Sequence, residues 1–183
     1  MSLILFETSR LFARPLTVEH EDALYAVYGD ADAMRWVGDG EPLDRVLCHK
    51  WVEVTHNNYA VRGYGMMALV ERATDEVIGF CGIVHPDGQE NPELKYALKR
   101  EFWGRGLATE AARGALVWGA ETFGLPRIMA TVALEHLASQ NVLRKAGMKL
   151  SELRQNEDGS VTQVFMWKRD DAQKTFELCP SPQ

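Results

Sequence analysis

The amino-acid sequence predicts a single α+β domain, and three observations lead there. The chain has 183 residues, 46% apolar and 25% charged, which is the size and balance of one soluble globular domain able to build its own core. Runs with apolar period two alternate with runs of helical period along the chain. No repeat or low-complexity stretch points to an array instead. The domain is expected over residues 1–176, with 177–183 as a flexible tail and Met1-Ser2-Leu3 as an addition ahead of the first native strand.

Each element has its own warrant. Leu11 to Leu16 is an apolar strand interrupted by Arg14 and stopped by Pro15, and Thr17 then precedes a helix from Glu19 to Tyr28. A second helix is expected between Leu43 and Asn57, opened by Pro42, because Val46, Leu47, Trp51 and Val54 recur at spacings near four. Gly65 to Glu71 and Val77 to Val84 are strands joined through Ala73-Thr74-Asp75-Glu76, a hairpin connection that pairs them antiparallel. Glu93 to Leu98 is a further strand. From Leu107 to Phe123, Ala108, Ala112, Ala115, Leu116, Gly119 and Phe123 fall on one helical stripe, ended by Gly124 and Pro126. Ile128 to Val132 is a strand, Leu137 to Ala146 a helix closed by Gly147, and Lys149 to Arg154 and Val161 to Lys168 a last strand pair around Glu157-Asp158-Gly159.

Charge narrows the function. Twenty Lys and Arg against 26 Asp and Glu give a net charge of −6 with no block of like charges, which disfavours sequence-independent nucleic-acid binding. An acidic surface helps to steer cationic partners such as amines, and it also serves solubility alone. The apolar run Leu3 to Phe6 is too short for a membrane span or a secretory h-region. Cys48, Cys81 and Cys179 are odd in number and show no C-x-x-C spacing, as expected of free thiols in a reducing compartment. The expectation is a cytoplasmic protein without nucleic-acid or membrane partners.

The segment that carries chemistry runs from Leu98 to Glu110, where a strand passes through a loop holding Gly104 and Gly106 into a long helix. The first helical N–H groups lack intrahelical acceptors and the macrodipole adds partial positive charge, so a pyrophosphate can sit there on backbone alone. Gly104 and Gly106 place no Cβ over those amides, and Arg105 can add charge-assisted contacts. A tight loop with a solvated arginine would look the same in sequence.

With this segment the chain resembles the GNAT superfamily of acetyl-CoA-dependent N-acetyltransferases. The family signature is Gln/Arg-x-x-Gly-x-Gly/Ala. Gly106-Leu107-Ala108 supplies its second half, while Trp103 stands where Gln or Arg is usual. The string from Trp103 through Gly104, Gly106, Ala108, Thr109, Glu110 and Ala111 resembles the branch that contains the ribosomal-protein N-terminal-alanine acetyltransferases. Glu7 to Leu11 and Arg14 to Thr17 resemble that branch's first strand and turn, and Met34-Arg35-Trp36 the end of its first helical region. Val77 to Gly82 resembles its third strand, and Leu137 to Met148 the later motif in which a serine starts a helix that ends in Lys-x-Gly-Phe.

The resemblance implies a mixed, mostly antiparallel central sheet of about seven strands flanked by about four helices, the acyl-CoA N-acyltransferase fold. Its fourth and fifth strands, Glu93 to Leu98 and Ile128 to Val132 here, would splay apart. Acetyl-CoA would be the donor, with no metal needed. Its pantetheine arm would lie between the splayed strands like a missing strand and use backbone near Ala97, Leu98 and Lys99. Its pyrophosphate would sit at Trp103, Gly104, Arg105, Gly106, Leu107, Ala108 and Thr109. Ser139 matches the family serine near the thioester sulfur, or is simply a polar residue starting a helix. His136 stands where an asparagine often contacts pantetheine. Asn141 and Lys145 project one turn apart, Lys145 toward the phosphates or into solvent.

Transfer to an amine needs a proton acceptor. Glu93 is the candidate base, at the start of a strand where this branch often has Glu-x-Gly-Tyr and this chain has Lys95 in place of Gly. The alternatives are a water chain for the proton and, for Glu93, a structural pairing with Lys95 on the same strand face. Trp36, Trp51 and Tyr96 can wall an acceptor pocket or serve as core. The acceptor walls are expected from the loops around Arg35 to Asp44 and Asp87 to Pro92. Cys81, inside a strand, reads as a buried thiol rather than an acyl carrier, so direct transfer is preferred. The acceptor would be a protein or peptide N-terminus or a small amine, and the chain a monomer or homodimer.

Rival readings have less support. A dinucleotide-binding enzyme would need a third glycine where Thr109 stands and an acidic residue near Arg127 to Ala130. A non-catalytic acyl-CoA or peptide-binding module on the same fold is separated only by turnover. The five histidines form no metal-ligand spacing, and no G-x-S-x-G elbow marks a serine hydrolase.

Overall fold

The computed structural model describes residues 3–37, 40–156 and 159–169. Eight strands form one sheet in the order β1-β2-β3-β4-β5-β6-β8-β7. They are β1 (Phe6–Glu7), β2 (Leu11–Pro15), β3 (Met66–Glu71), β4 (Glu76–Val84), β5 (Glu93–Leu98), β6 (Arg127–Ala133), β7 (Lys149–Gln155) and β8 (Val161–Lys168). Every neighbouring pair is antiparallel except β5 with β6, which is parallel because α4 carries the chain across between them. The helices are α1 (Glu21–Tyr28), α2 (Ala31–Met34), α3 (Arg45–Arg62), α4 (Leu107–Phe123) and α5 (Leu137–Lys145).

The expected architecture is present, with eight strands rather than about seven and five helices rather than about four among the described residues. The additional strand is β1, two residues long and too short to show a period. The helix expected from Glu19 begins as a 3₁₀ turn, Val18–His20, in which Thr17 and His20 form a capping box. Glu157 and Asp158 of the last turn, Met1 and Ser2, the 177–183 tail and Cys179 lie outside the described residues.

Helix α3 departs most from its sequence reading. Asp44, not Pro42, opens it, with its carboxylate accepting from Leu47 N at 2.8 Å, and it continues to Gly63, whose left-handed φ of 81° caps it. The buried stripe is Cys48, Val52 and Thr55, while Val46, Leu47 and Val54 are exposed. A small thiol and a hydroxyl carry two of the three buried positions, so apolar periodicity alone pointed to the wrong face.

Two cores lie on opposite faces of the sheet. Helices α4 and α5 cover one, where Leu69, Ile83, Leu94, Leu116, Ile128, Leu143 and Phe165 pack together. Helices α1 to α3 cover the other over Ala68 and Phe80, with Leu24, Val27, Tyr28, Met34 and Val52. Alternate residues of β5 therefore serve different layers: Leu94 and Leu98 enter the α4 and α5 core, and Ala97 packs against the α1 to α3 core. Trp51 is half-buried and packs edge-on to Tyr28, ring centroids 4.8 Å apart, against the core that α1 to α3 cover.

Candidate active site

The sheet parts between β5 and β6. The two strands share one bridge, Glu93 with Met129, supported by Met129 N donating to Pro92 O at 2.9 Å. Beyond it β6 is paired along its length with β8, from Arg127 opposite Lys168 to Ala133 opposite Thr162, and it leaves β5 unaccompanied. From Leu94 onward the edge of β5 that faces β6 has no strand partner. A cleft lined on one side by open strand backbone results.

The wide end of this cleft is closed by the start of α4. A 3₁₀ turn, Arg100–Phe102, leads into Gly104 at φ 71° and Gly106 at φ 77°, and Gly106 is the helix N-cap with no side-chain capping bond. A Cβ at Gly106 would meet only Arg10 Nη2 at 3.6 Å, so the left-handed backbone, rather than crowding, demands glycine there. The N–H groups of Leu107, Ala108 and Thr109 precede the first intrahelical donor, Glu110 N to Gly106 O, and are uncapped.

The Arg105 side chain, expected to help, is committed elsewhere. Arg105 Nη2 pairs with Glu71 Oε1 at 2.6 Å and its guanidinium lies 5.1 Å over the Phe102 ring, which leaves its backbone amide as its contribution to the loop. Lys99, expected to offer its backbone to a pantetheine arm, has that backbone engaged: its N–H donates to Ile78 O at 2.9 Å and its carbonyl accepts from Phe102 N at 3.0 Å, because the strand pairing and the 3₁₀ turn that ends β5 both claim it, while its Nζ pairs with Glu76 at 2.6 Å. Trp103 is 45% exposed, and its indole Nε1 donates to Leu98 O at 2.8 Å, which pins the loop back onto the end of β5.

At the narrow end Glu93 is 3% exposed and fully engaged. Its Oε1 accepts from Thr131 N at 3.2 Å and Thr131 Oγ1 at 2.5 Å and pairs with Lys95 Nζ at 2.5 Å, and its Oε2 accepts from Gln89 Nε2 at 3.1 Å. Burial pushes the Glu93 carboxyl up, but the Lys95 charge and the hydrogen bonds from Lys95 and Thr131 outweigh it and hold the pKa below the usual value. Lys95 Nζ also donates to Thr131 Oγ1 at 3.2 Å, so the ammonium spans the parting strands. Gln89 is held by His85, whose Nδ1 bonds Gln89 O at 2.8 Å while its Nε2 meets the Tyr64 hydroxyl at 2.8 Å.

Ser139 and Tyr96 meet across the cleft on the α4 and α5 face. Ser139 is the third residue of α5, not its cap, and its hydroxyl lies 2.7 Å from the Tyr96 hydroxyl, which also donates to Ser139 O at 3.3 Å. Burial raises the Tyr96 pKa, so the phenol stays protonated. Tyr96 therefore belongs with Ser139 rather than with the other expected acceptor residue, Trp36. That indole stacks on the His136 imidazole, centroids 5.4 Å apart and planes inclined by 17°, which joins the end of α2 to the mouth of α5. Burial lowers the His136 pKa. Asn141 and Lys145 are exposed on α5, and the Lys145 carbonyl accepts from Arg113. Cys81 is fully buried with its thiol pushed up to about 12, which removes it as a nucleophile at neutral pH.

A family model described as an acetyltransferase (GNAT) domain matches residues 10–149. The chain belongs to the GNAT family. It is 28% identical over 166 residues to the uncharacterized N-acetyltransferase p20 of Bacillus licheniformis, covering 87% of this chain and 92% of that one. A solved acetyltransferase from Agrobacterium tumefaciens str. C58 superposes with a TM-score of 0.76 at 27% identity, over 90% of this chain and 94% of that chain. RimL, a ribosomal L7/L12 alpha-N-protein acetyltransferase solved in complex with coenzyme A, shares the fold with a TM-score of 0.77 at 17% identity, over 92% of this chain and 99% of that chain.

This GNAT chain carries one arrangement that periodicity did not disclose. Glu110, on the first turn of α4, accepts from Thr8 Oγ1 at 2.6 Å, Ser9 Oγ at 3.0 Å, Arg10 N at 2.8 Å and Arg10 Nε at 2.7 Å. Arg10 Nη1 reaches on to Arg105 O at 2.9 Å, so the β1–β2 turn holds the glycine loop from behind. Gly114 completes the contact: a Cβ there would lie 2.4 Å from the Phe6 ring. The partners are about a hundred residues apart, and only an alignment of the two short segments could have linked them. Thr131 and Gln89 were likewise missed, since a threonine in a strand and a glutamine in a loop carry no signal until the register sets them against Glu93. Among the described residues no helix is long and apolar enough to cross a membrane, and no three His, Cys, Asp or Glu side chains gather as a metal site.

Proposed function

We propose that this GNAT-family chain transfers the acetyl group of acetyl-CoA directly to a primary amine, a protein or peptide N-terminus or a small amine. The observation that carries the reading is the parting of β5 from β6 after a single bridge, with the uncapped N-terminus of α4 at its open end. The residues fit the cofactor. The unaccompanied edge of β5 beyond the bridge, up to the Leu98 carbonyl that Trp103 already holds, offers N–H and C=O groups to the amides of a pantetheine arm, and the amides from Gly104 to Thr109 offer an anion cradle suited to a pyrophosphate. When bound, acetyl-CoA supplies a thioester whose thiol, with a pKa of about 8.5, leaves without strong acid assistance.

The chain's own groups do the rest. The cleft walls hold the reactants together, and backbone N–H groups near the narrow end polarise the acyl oxygen. The Tyr96–Ser139 hydroxyl pair supplies a hydrogen bond to sulfur. Asn141, Lys145 and His136 border the cofactor side, and Trp36 the acceptor side. Proton removal falls to Glu93 or to water that it orders. Because four donors already satisfy Glu93, it takes a proton only when Lys95 yields its place.

The test is calorimetric titration of acetyl-CoA and, separately, of NAD, followed by thiol-release assays with a panel of amines and N-terminal peptides. Micromolar acetyl-CoA binding with acceptor-dependent thiol release is expected. Binding without turnover on any amine identifies a non-catalytic module, and NAD binding in place of acetyl-CoA overturns the reading.

A further inference from the structure

We propose that Lys95 is a self-acetylation site: in the absence of an acceptor, its amine takes the acetyl group from bound acetyl-CoA. The inference rests on the function proposed above and gives Lys95, which there has only to yield its place beside Glu93, a reaction of its own.

Three facts place Lys95 where an acceptor amine has to be. First, it stands on the cleft-forming strand two residues from the single β5–β6 bridge. Five residue steps of extended strand separate Leu98 from Glu93, about 17 Å, which an extended pantetheine arm spans from the α4 amides, so the thioester falls near the narrow end. Second, the Lys95 ammonium pairs with Glu93 at 2.5 Å and donates to Thr131 at 3.2 Å. These are the contacts that an incoming ammonium would make with a base and a neighbouring hydroxyl. Third, the Lys95 side chain is 42% exposed, so it can leave that pair and return, whereas Glu93 is fixed at 4%.

The chemistry balances without another reagent. The ammonium gives one proton to Glu93 or water, the neutral nitrogen attacks the thioester carbonyl carbon, the N–C bond forms and the C–S bond breaks. The thiolate leaves and takes up the second amine proton. The products are an acetamide on Lys95, free CoA thiol and one proton released to solvent.

The consequence reaches Glu93. An acetylated Lys95 carries no charge, so the carboxylate loses the cation that opposes the cost of its burial and becomes a stronger base. Self-acetylation thus removes the cation that competes for Glu93 and improves the group that would deprotonate an acceptor.

The experiment incubates the full chain with acetyl-CoA labelled by heavy isotopes in the acetyl group, without acceptor, from about pH 7 to about pH 9, and follows label at each lysine by peptide mass spectrometry. Lys50 and Lys168, both exposed and neither placed at the site, report spontaneous surface acetylation. Lys95 is expected to acquire label at least about tenfold faster than either, as expected of a held reactant, and faster as the pH rises. Gly106→Glu, which weakens cofactor binding, should bring Lys95 down to the rate of Lys50, and Lys95→Arg should leave position 95 unlabelled. Calorimetry on the same preparation separates the two readings. Acetyl-CoA that binds while Lys95 labels no faster than Lys50 and Lys168 overturns the inference and leaves the function standing. Absence of acetyl-CoA binding overturns both.

Discussion

The hydroxyls of Tyr96 on β5 and Ser139 on α5 lie 2.7 Å apart and tie together the two elements that diverge at the cleft. Ser139 is therefore oriented by a phenol that burial keeps protonated. Tyr96→Phe removes both hydrogen bonds to Ser139 and should cost about 1 kcal/mol of stability in denaturant titration. Its acetyl-transfer rate should fall by less than the roughly hundredfold that full general-acid catalysis supplies, because a thiol leaves readily. Ser139→Ala should match it, and the double variant should lose little more than either single one if the two hydroxyls act as a unit.

Glu93 makes stability depend on pH in a defined direction. Its folded pKa lies below the ordinary glutamate value of about 4.3, so the folded state gains from its ionisation above that value and loses the gain as the pH falls through the lower folded pKa. Glu93→Gln should cost roughly 1–3 kcal/mol at neutral pH, with the gap to the parent closing as the solution is acidified below about pH 4. Thermal melts across that range measure it. In activity assays the parent rate should exceed that of Glu93→Gln at neutral and higher pH, and equal rates there would remove Glu93 from the proton path.

Glu110 should show the same sign for another reason. Burial pushes its carboxyl up, but hydrogen bonds from Thr8, from the backbone and side chain of Arg10, and from Ser9 hold it lower. Glu110→Gln keeps the shape and removes the charge, so it should lower the melting temperature at neutral pH and narrow the difference from the parent in acid. Since Arg10 also holds the glycine loop through Arg105 O, this variant should weaken acetyl-CoA binding although it does not touch the cleft.

Trp36 and His136 give a prediction about acceptor rather than cofactor. Trp36→Ala removes the stacked partner of His136 on the side proposed for the acceptor. KM for the amine should rise several-fold, roughly the effect of 1 kcal/mol of aromatic packing, while the calorimetric Kd for acetyl-CoA stays near that of the parent. An equal rise in both would place the stack on the cofactor path.

Local chemistry carried much of this molecule into its sequence. Helix α4 ends where Gly124 and Pro126 demanded, and the β3–β4 hairpin turns at Arg72 to Asp75, one residue ahead of the expected Ala73 to Glu76, since Glu76 already pairs with Glu71 as the first residue of β4. Glu93 and Lys95 sit on one face, as two-residue spacing requires, and they pair. What escaped depends on distant segments meeting. The buried face of α3 is chosen by what α1 and the sheet present to it, so Thr55 is buried and Val54 is not. The reach of Arg105 toward Glu71, which takes its side chain away from the glycine loop, follows from strand register and cannot be read from Trp103-Gly104-Arg105-Gly106.

The single bridge at Glu93 and Met129 also sets where the molecule opens most easily. One block is β1 to β5 with α1 to α3, and the other is β6, β8 and β7 with α5. Across their boundary, among the described residues, the backbone pairing is the single bridge, and the blocks are otherwise joined through side chains: α4 and the core it covers, the Glu93 network, the Tyr96–Ser139 contact and the Trp36–His136 stack. Amide hydrogens along that boundary should exchange with solvent sooner than those of β3, β4 or β8, through local openings that cost far less than unfolding the whole chain. A ligand that bridges the boundary would slow that exchange from Leu94 to Leu98 and raise the melting temperature with its concentration. The line along which the protein is weakest is thus also the line that ligand binding would stitch.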